Sequence, residues 1–322
     1  MKRRNETEVT EFVLTGFSNF PDLQLVLFVV FSLMYLASLS GNVIIMAIIW
    51  LNRSLHIPMY FFLSLLSFSE SCYTFVIVPN MLVTLLLGRK TISFAGCVTQ
   101  MFFFIGIACT NCLILIGMGY DRYVAVCHPL HYHLMMNRRV CLQLGASLAV
   151  SGFFFSFIET YLVFHLPFYG GNRIDHYFCD VAPVVKLACP PDQNTEAVIL
   201  ALCTIFILGS FLSVILSYFF IFVTVLRIPS AEGKRKAFST CTSHLIVVIV
   251  HFGCASATYL RPISSYIPGK DIMVSIMYTL VTPLLNPIVY SLRNKDIQTA
   301  LRKLLIKEIL NWRTGRTHAL VL

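Results

Sequence analysis

Seven long apolar runs leave this chain little freedom in how it can fold. They cover approximately Leu23 to Trp50, Met59 to Leu87, Phe94 to Val126, Val140 to Phe164, Ala197 to Leu226, Phe238 to Leu260 and Ile272 to Leu292. Each can cross a hydrocarbon core, which takes about 20 apolar residues in a helix. Backbone polar groups have no water to bond there, so each run must close its hydrogen bonds within itself as a helix. Only 12% of the residues are charged, about half the share of a soluble domain, roughly 25%. The connections are short except Leu166 to Glu196, leaving no room for a separate soluble domain. The expected fold is therefore an all-α membrane protein, a seven-transmembrane helix bundle. Residues 1–22 are expected outside the cell, 23–292 in the bundle, and 293–322 in a cytoplasmic tail. Met1 to Asp22 is polar and the first apolar run is too long for a signal-peptide core, so that run is expected to stay as the first span.

Charge sets the expected orientation, because basic residues collect on the cytoplasmic side. With the N-terminus outside, the inner segments hold 15 basic residues against 4 acidic ones, while the outer segments hold nine of each. The formal charge of +9 thus reads as a topology signal and calls for no nucleic-acid partner. Asn5-Glu6-Thr7 is a glycosylation sequon on the side placed outside. Three of the 11 cysteines, Cys97, Cys179 and Cys189, also fall there, where disulfides persist. A bridge from Cys97, at the outer end of span three, to Cys179 would pin the long loop across the bundle mouth; three thiols leave one over.

Polar residues inside the spans are the functional candidates. Glu70 lies 11 residues above Met59, roughly 16 Å deep at 1.5 Å per residue, and Asn111 lies 11 residues above Arg122. With Asn42 and Asn286 they are expected to form one inner polar layer; Glu70 there is either neutral helix glue or a cation or proton site. Gly41, beside Asn42, permits close helix contact. Glu159 is near the outer end of span four, where it is expected to snorkel to the interface as an anchor. His244 and His251 share a face of span six, read as packing or hydrogen-bonding residues, and no metal or cofactor is expected. Pro287 must break a backbone hydrogen bond, with Asn286 expected to support the freed group. Asp296 to Trp312 is basic and amphipathic, as in a short helix on the inner leaflet.

Asp121-Arg122-Tyr123 at the inner end of span three, Asn286-Pro287-Ile288-Val289-Tyr290 in span seven, Asn42, the acid Glu70, and Cys97 with an outer-loop cysteine together resemble the rhodopsin-like G-protein-coupled receptors. Longer strings narrow the likeness: LHIPMYFFL from Leu55, GYDRYVAVCHPLHY from Gly119, KAFSTCTSHL from Lys236 and PLLNPIVYSLRNK from Pro283 are similar to the odorant (olfactory) receptors. The resemblance implies a small volatile ligand in the outer half of the bundle and activation of the stimulatory olfactory G protein to raise cAMP, from a multi-pass protein of the plasma membrane. It makes Cys97–Cys179 the expected disulfide, Arg122 the latch and G-protein contact, Asp121 its resting partner, and Tyr218 and Tyr290 groups that rearrange around it. Helical spacing and family position nominate Phe104, Ile105, Ala108, Cys109, Leu202, Phe206, Ala255, Ser256, Tyr259, Ile276 and Thr279 as pocket walls. The chain departs from the family pattern at Tyr169, which stands where a cysteine is usual and deprives Cys189 of its expected partner. It departs also at Glu70, Asn111 and Phe252, and span six lacks a proline.

Other membrane classes fit less well. Span seven has no lysine for a retinal Schiff base, the spans show no repeat of the kind transporters carry, and no catalytic constellation appears, so an enzyme is not expected. A chemosensory receptor outside olfaction on the same scaffold is the alternative.

Overall fold

All seven apolar runs are helical in the computed structural model. It describes residues 9–18, 20–88, 90–168, 171–189, 192–294 and 296–303, with the backbone alone at 236–240 and 292–293. The helices are α1 (Gln24–Leu51), α2 (Pro58–Leu87), α3 (Phe94–Cys127), α4 (Arg138–Phe164), α5 (Gln193–Leu226), α6 (Ala231–Tyr259) and α7. α7 is continuous through Pro268–Ile276, a π-helical turn at Met277–Val281, and Thr282–Arg293. Their ends follow local chemistry. Ser93, Asn137, Asp192 and Ser230 accept backbone N–H groups at the starts of α3 to α6, supplying partners for donors a helix start leaves unpaired. Proline opens α2 and α7, where its missing N–H costs nothing. Gly88, at φ 64°, ends α2 in the left-handed region that glycine enters freely.

α3 is the central post. Of its most apolar stretch 72% is buried, against 11% for α1, because α3 packs on α2, α4, α5 and α6 while α1 touches mainly α2 and α7. Large apolar side chains such as Leu25, Phe75, Phe154 and Ile205 stand exposed around the perimeter, a surface suited to lipid. Among the described residues two large apolar cores fill the bundle, one toward each end, with a third small cluster at Ile221, Val225 and Cys241.

One end is closed by a small sheet that sequence periodicity does not foretell. β1 (Glu11–Leu14) lies between β2 (Thr91–Ser93), antiparallel with Phe12 opposite Ile92, and β3 (Arg173–Ile174), parallel with Val13 opposite Arg173. The opposite end carries Arg122. There residues 296–303 are helical, with Ile297 and Ala300 buried. Asn294 accepts the N–H groups of Asp296 and Ile297, and the Tyr60 hydroxyl lies within hydrogen-bond distance of both Asn294 Oδ1 and Asp296 Oδ2, sharing its one proton between them. The amphipathic stretch beyond 303, the Asn5 sequon and Tyr169 lie outside the described residues.

Candidate functional site

A cavity opens in the sheet-end half of the bundle, between α2, α3, α4, α5, α6 and α7. About 70 Å³ of it is open to the centre of a water-sized sphere, several times the roughly 10–15 Å³ that one water needs. α3 presents Phe104, Ile105, Ala108, Cys109 and Cys112, one helical face; α5 presents Cys203, Phe206 and Ile207; α6 presents His251, Ala255 and Tyr259; and α7 presents Tyr278 and Thr282. Glu70 and Tyr73 of α2 and Phe155 and Glu159 of α4 complete the wall.

Seven of the nominated wall residues meet here: Phe104, Ile105, Ala108, Cys109, Phe206, Ala255 and Tyr259. Leu202, Ser256, Ile276 and Thr279 lie off the cavity, each for a geometric reason. At about 100° per residue, Leu202 falls just past the edge of the face that Cys203, Phe206 and Ile207 form, and Ser256 past that of His251, Ala255 and Tyr259. On α7 the π turn at Met277–Val281 shifts the helical register, bringing Tyr278 and Thr282 inward. Thr279 instead bonds the Tyr177 hydroxyl at 2.7 Å.

The anchoring expectation for Glu159 is overturned. Its side chain is buried, lines the cavity, and accepts the Cys203 thiol at 3.1 Å. Distance along the helix gives depth but not facing, and α4 turns this residue toward α5.

The long loop dips into the bundle mouth above the cavity. The disulfide joins Cys97 to Cys179, as expected, and residues 176–180 are buried beside it. His176 meets Ser275 at 2.9 Å, and Asp180 accepts the hydroxyls of Tyr259 at 3.0 Å and Tyr278 at 3.1 Å. Two cavity-wall tyrosines therefore also hold the loop. Burial pushes the His176 imidazole down to about 3, so it is neutral. Burial pushes the Asp180 carboxyl up, against the downward pull of the bonds it accepts from the Val181 N–H and the two tyrosines. Arg261 and Asp271 pair at the same end.

The inner polar residues divide into separate contacts. Asn286 donates to Glu70 at 2.9 Å, whereas Asn42 donates across to the Pro283 carbonyl at 3.2 Å. That carbonyl is the one Pro287, having no N–H, leaves without its helical donor. Asn42 on α1, rather than Asn286, thus repairs the proline's damage. Gly41 makes the approach possible: a Cβ there would sit 2.9 Å from Cγ of Pro287. Asn111 is buried and its side-chain amide makes no hydrogen bond among the described residues.

At the opposite end Arg122 pairs with Asp121 at 2.8 Å, and the Tyr132 hydroxyl donates to the other Asp121 oxygen at 2.8 Å. Tyr123 meets His128 at 3.1 Å. Tyr218 bonds and stacks on His244, their polar atoms 2.7 Å apart. Tyr290 is fully buried, with its hydroxyl unpaired among the described residues. His251 lies apart on the cavity wall, and among the described residues no three or more His, Cys, Asp or Glu side chains are grouped to hold a metal.

Comparison with known proteins adds a family to this geometry. Residues 31–308 match the family model described as olfactory receptor. The chain is 56% identical to human Olfactory receptor 10R2 over 94% of its own length and 91% of that protein. It is 56% identical to human Olfactory receptor 10T2, over 93% and 95%, and 48% identical to mouse Olfactory receptor 10J5, over 94% and 97%.

Proposed function

The chain belongs to the olfactory receptor family, and on that premise we propose that a small, mostly apolar odorant enters the sheet-end cavity and activates the stimulatory olfactory G protein, raising cAMP. As a member it is an odorant G-protein-coupled receptor of the plasma membrane, crossing it several times and acting through an odorant and a G protein, not as an enzyme. The finer reading sets the N-terminus and the sheet outside, where Asn5 is glycosylated, and the Arg122 end in the cytoplasm. Its support is the 15 basic against 4 acidic residues of the inner segments.

The observation that carries the ligand reading is the cavity: mostly apolar walls with a few polar groups, enclosed by six helices. The signalling reading rests on the Asp121, Arg122 and Tyr132 cluster. A ligand shifts a two-state bundle only by its differential affinity for the two states, and a buried ion pair that breaks in one of them supplies such a difference. Tyr123, Tyr218, Asn286, Pro287 and Tyr290 belong to the same switch. A phenyl ring in place of the Ala108 methyl fills the cavity, so Ala108→Phe is expected to abolish the cAMP response to odorants that activate the wild type. An unchanged half-maximal concentration at matched surface expression would place the ligand elsewhere.

A further inference from the structure

The geometry points to Glu159 as the residue that selects ligand chemistry: the cavity is built for a small volatile amine, whose ammonium pairs with this carboxylate while its hydrocarbon part fills the apolar space. This rests on the ligand reading above. Glu159 is 3% exposed, and its one described hydrogen bond comes from a thiol, the Cys203 Sγ at 3.1 Å. A thiol is a weak donor, which leaves most of the carboxylate's capacity to accept facing the cavity. No lysine or arginine is among the described residues that line the cavity. Acids inside a membrane bundle pair with an opposite charge or mark a ligand path, and no such charge meets Glu159 among the described residues. The other acid, Glu70, already accepts the Asn286 amide at 2.9 Å, so Glu159 is the freer of the two.

The surroundings suit a cation as well as a carboxylate does. Phe155 lies one turn before Glu159 on α4, and Phe206 lies one turn after Cys203 on α5. The two rings are 4.5 Å apart between centroids, tilted by 36°. Both line the cavity. A carboxylate attracts a desolvated ammonium by direct charge, and aromatic rings beside it add the attraction of their quadrupoles wherever a ring face meets the cation. An alcohol of the same shape gains one hydrogen bond and neither of those terms.

The test uses the full chain in lipid nanodiscs, titrated with n-pentylamine against n-pentanol and benzylamine against benzyl alcohol, with binding read by thermal unfolding and no G protein present. Wild type is expected to bind each amine at least tenfold more tightly than its alcohol. Glu159→Gln, which keeps the shape and removes the charge, is expected to bring that ratio close to one. Glu159→Asp, which keeps the charge, is expected to retain a preference for amines. Equal wild-type affinity for amine and alcohol, an amine preference that survives Glu159→Gln, or no binding of either probe by folded wild type would overturn the proposal. In a parallel cAMP assay in cells with the same probes, alcohols that raise cAMP without any amine preference would overturn it while leaving the receptor reading intact. Glu159-dependent amine binding with no cAMP response would do the reverse.

Discussion

Replacing Asn42 with alanine should destabilise the receptor much more when Pro287 is present than when it is not. In the wild type the Asn42 amide supplies the Pro283 carbonyl with the donor that Pro287 lacks, and Asn42 is wholly buried. Interhelical hydrogen bonds in membranes average about 0.6 kcal/mol, with a maximum near 1.7, while a buried group left unpaired costs about 1–3 kcal/mol. Asn42→Ala is therefore expected to cost about 1–2 kcal/mol. The second Asn42 bond, to the Ser38 carbonyl of its own helix at 3.0 Å, adds little because that oxygen also has a helical donor. Pro287→Ala restores an N–H at position 287 that can reach Pro283 within α7, so in that background Asn42→Ala should cost well under half as much. The assay is a double-mutant cycle on nanodisc-embedded receptor, with unfolding followed by a thiol-reactive dye that reports the buried free cysteines, Cys109, Cys112, Cys141, Cys203 and Cys241 among them. Equal costs of Asn42→Ala in both backgrounds would refute the repair of the proline carbonyl by α1.

Tyr132→Phe removes the hydroxyl that donates to Asp121; hydrogen bonds to charged groups contribute about 1.5–3 kcal/mol, so ligand-free cAMP should rise several-fold at matched surface expression, and unchanged basal signal would count against the latch. Cys97→Ser opens the bridge to Cys179, 82 residues on; losing a native disulfide costs about 2–5 kcal/mol in small domains, so surface expression, read by flow cytometry, should fall sharply. His176 carries a docked-loop pKa of about 3 against an ordinary 6.5, so the undocked loop takes up a proton first as pH falls. Docking should therefore be at full strength above about pH 6.5 and weaken below it, by at most about 1.4 kcal/mol per unit. The raised Asp180 value acts with the opposite sign, its benefit being lost as pH rises. Hydrogen exchange at 174–185, corrected for intrinsic rates, should speed up between pH 6.5 and 5 and do so less in His176→Asn.

What the sequence made legible is what depends on composition and short-range spacing. The seven spans follow from apolar length, the likeness to a family from motifs that survive as strings, and Phe104, Ile105, Ala108 and Cys109 from the single face of one helix. What it hid depends on helix rotation and on partners far along the chain. Glu159 faces the cavity because of how α4 packs, which no count of residues from the helix end reveals. Tyr278 and Thr282 face it across a π turn, which breaks the regular period assumed, with family position, in nominating Ile276 and Thr279. β1 pairs with segments about 80 and 160 residues away, so the four residues Glu11 to Leu14 carry no local sign of their partners. Tyr73 and Cys112 left a faint signal, each three residues after a nominated position on the same helix, Glu70 and Cys109.

The central claim is that a ligand in the sheet-end cavity drives a G-protein switch at Arg122. Its most direct test is cAMP accumulation in cells exposed to an odorant panel, with wild type and Arg122→Ala compared at equal surface expression. The account predicts a concentration-dependent rise for at least one odorant in the wild type and none in Arg122→Ala. A normal response from Arg122→Ala, or silence of the surface-expressed wild type across the panel, would contradict it.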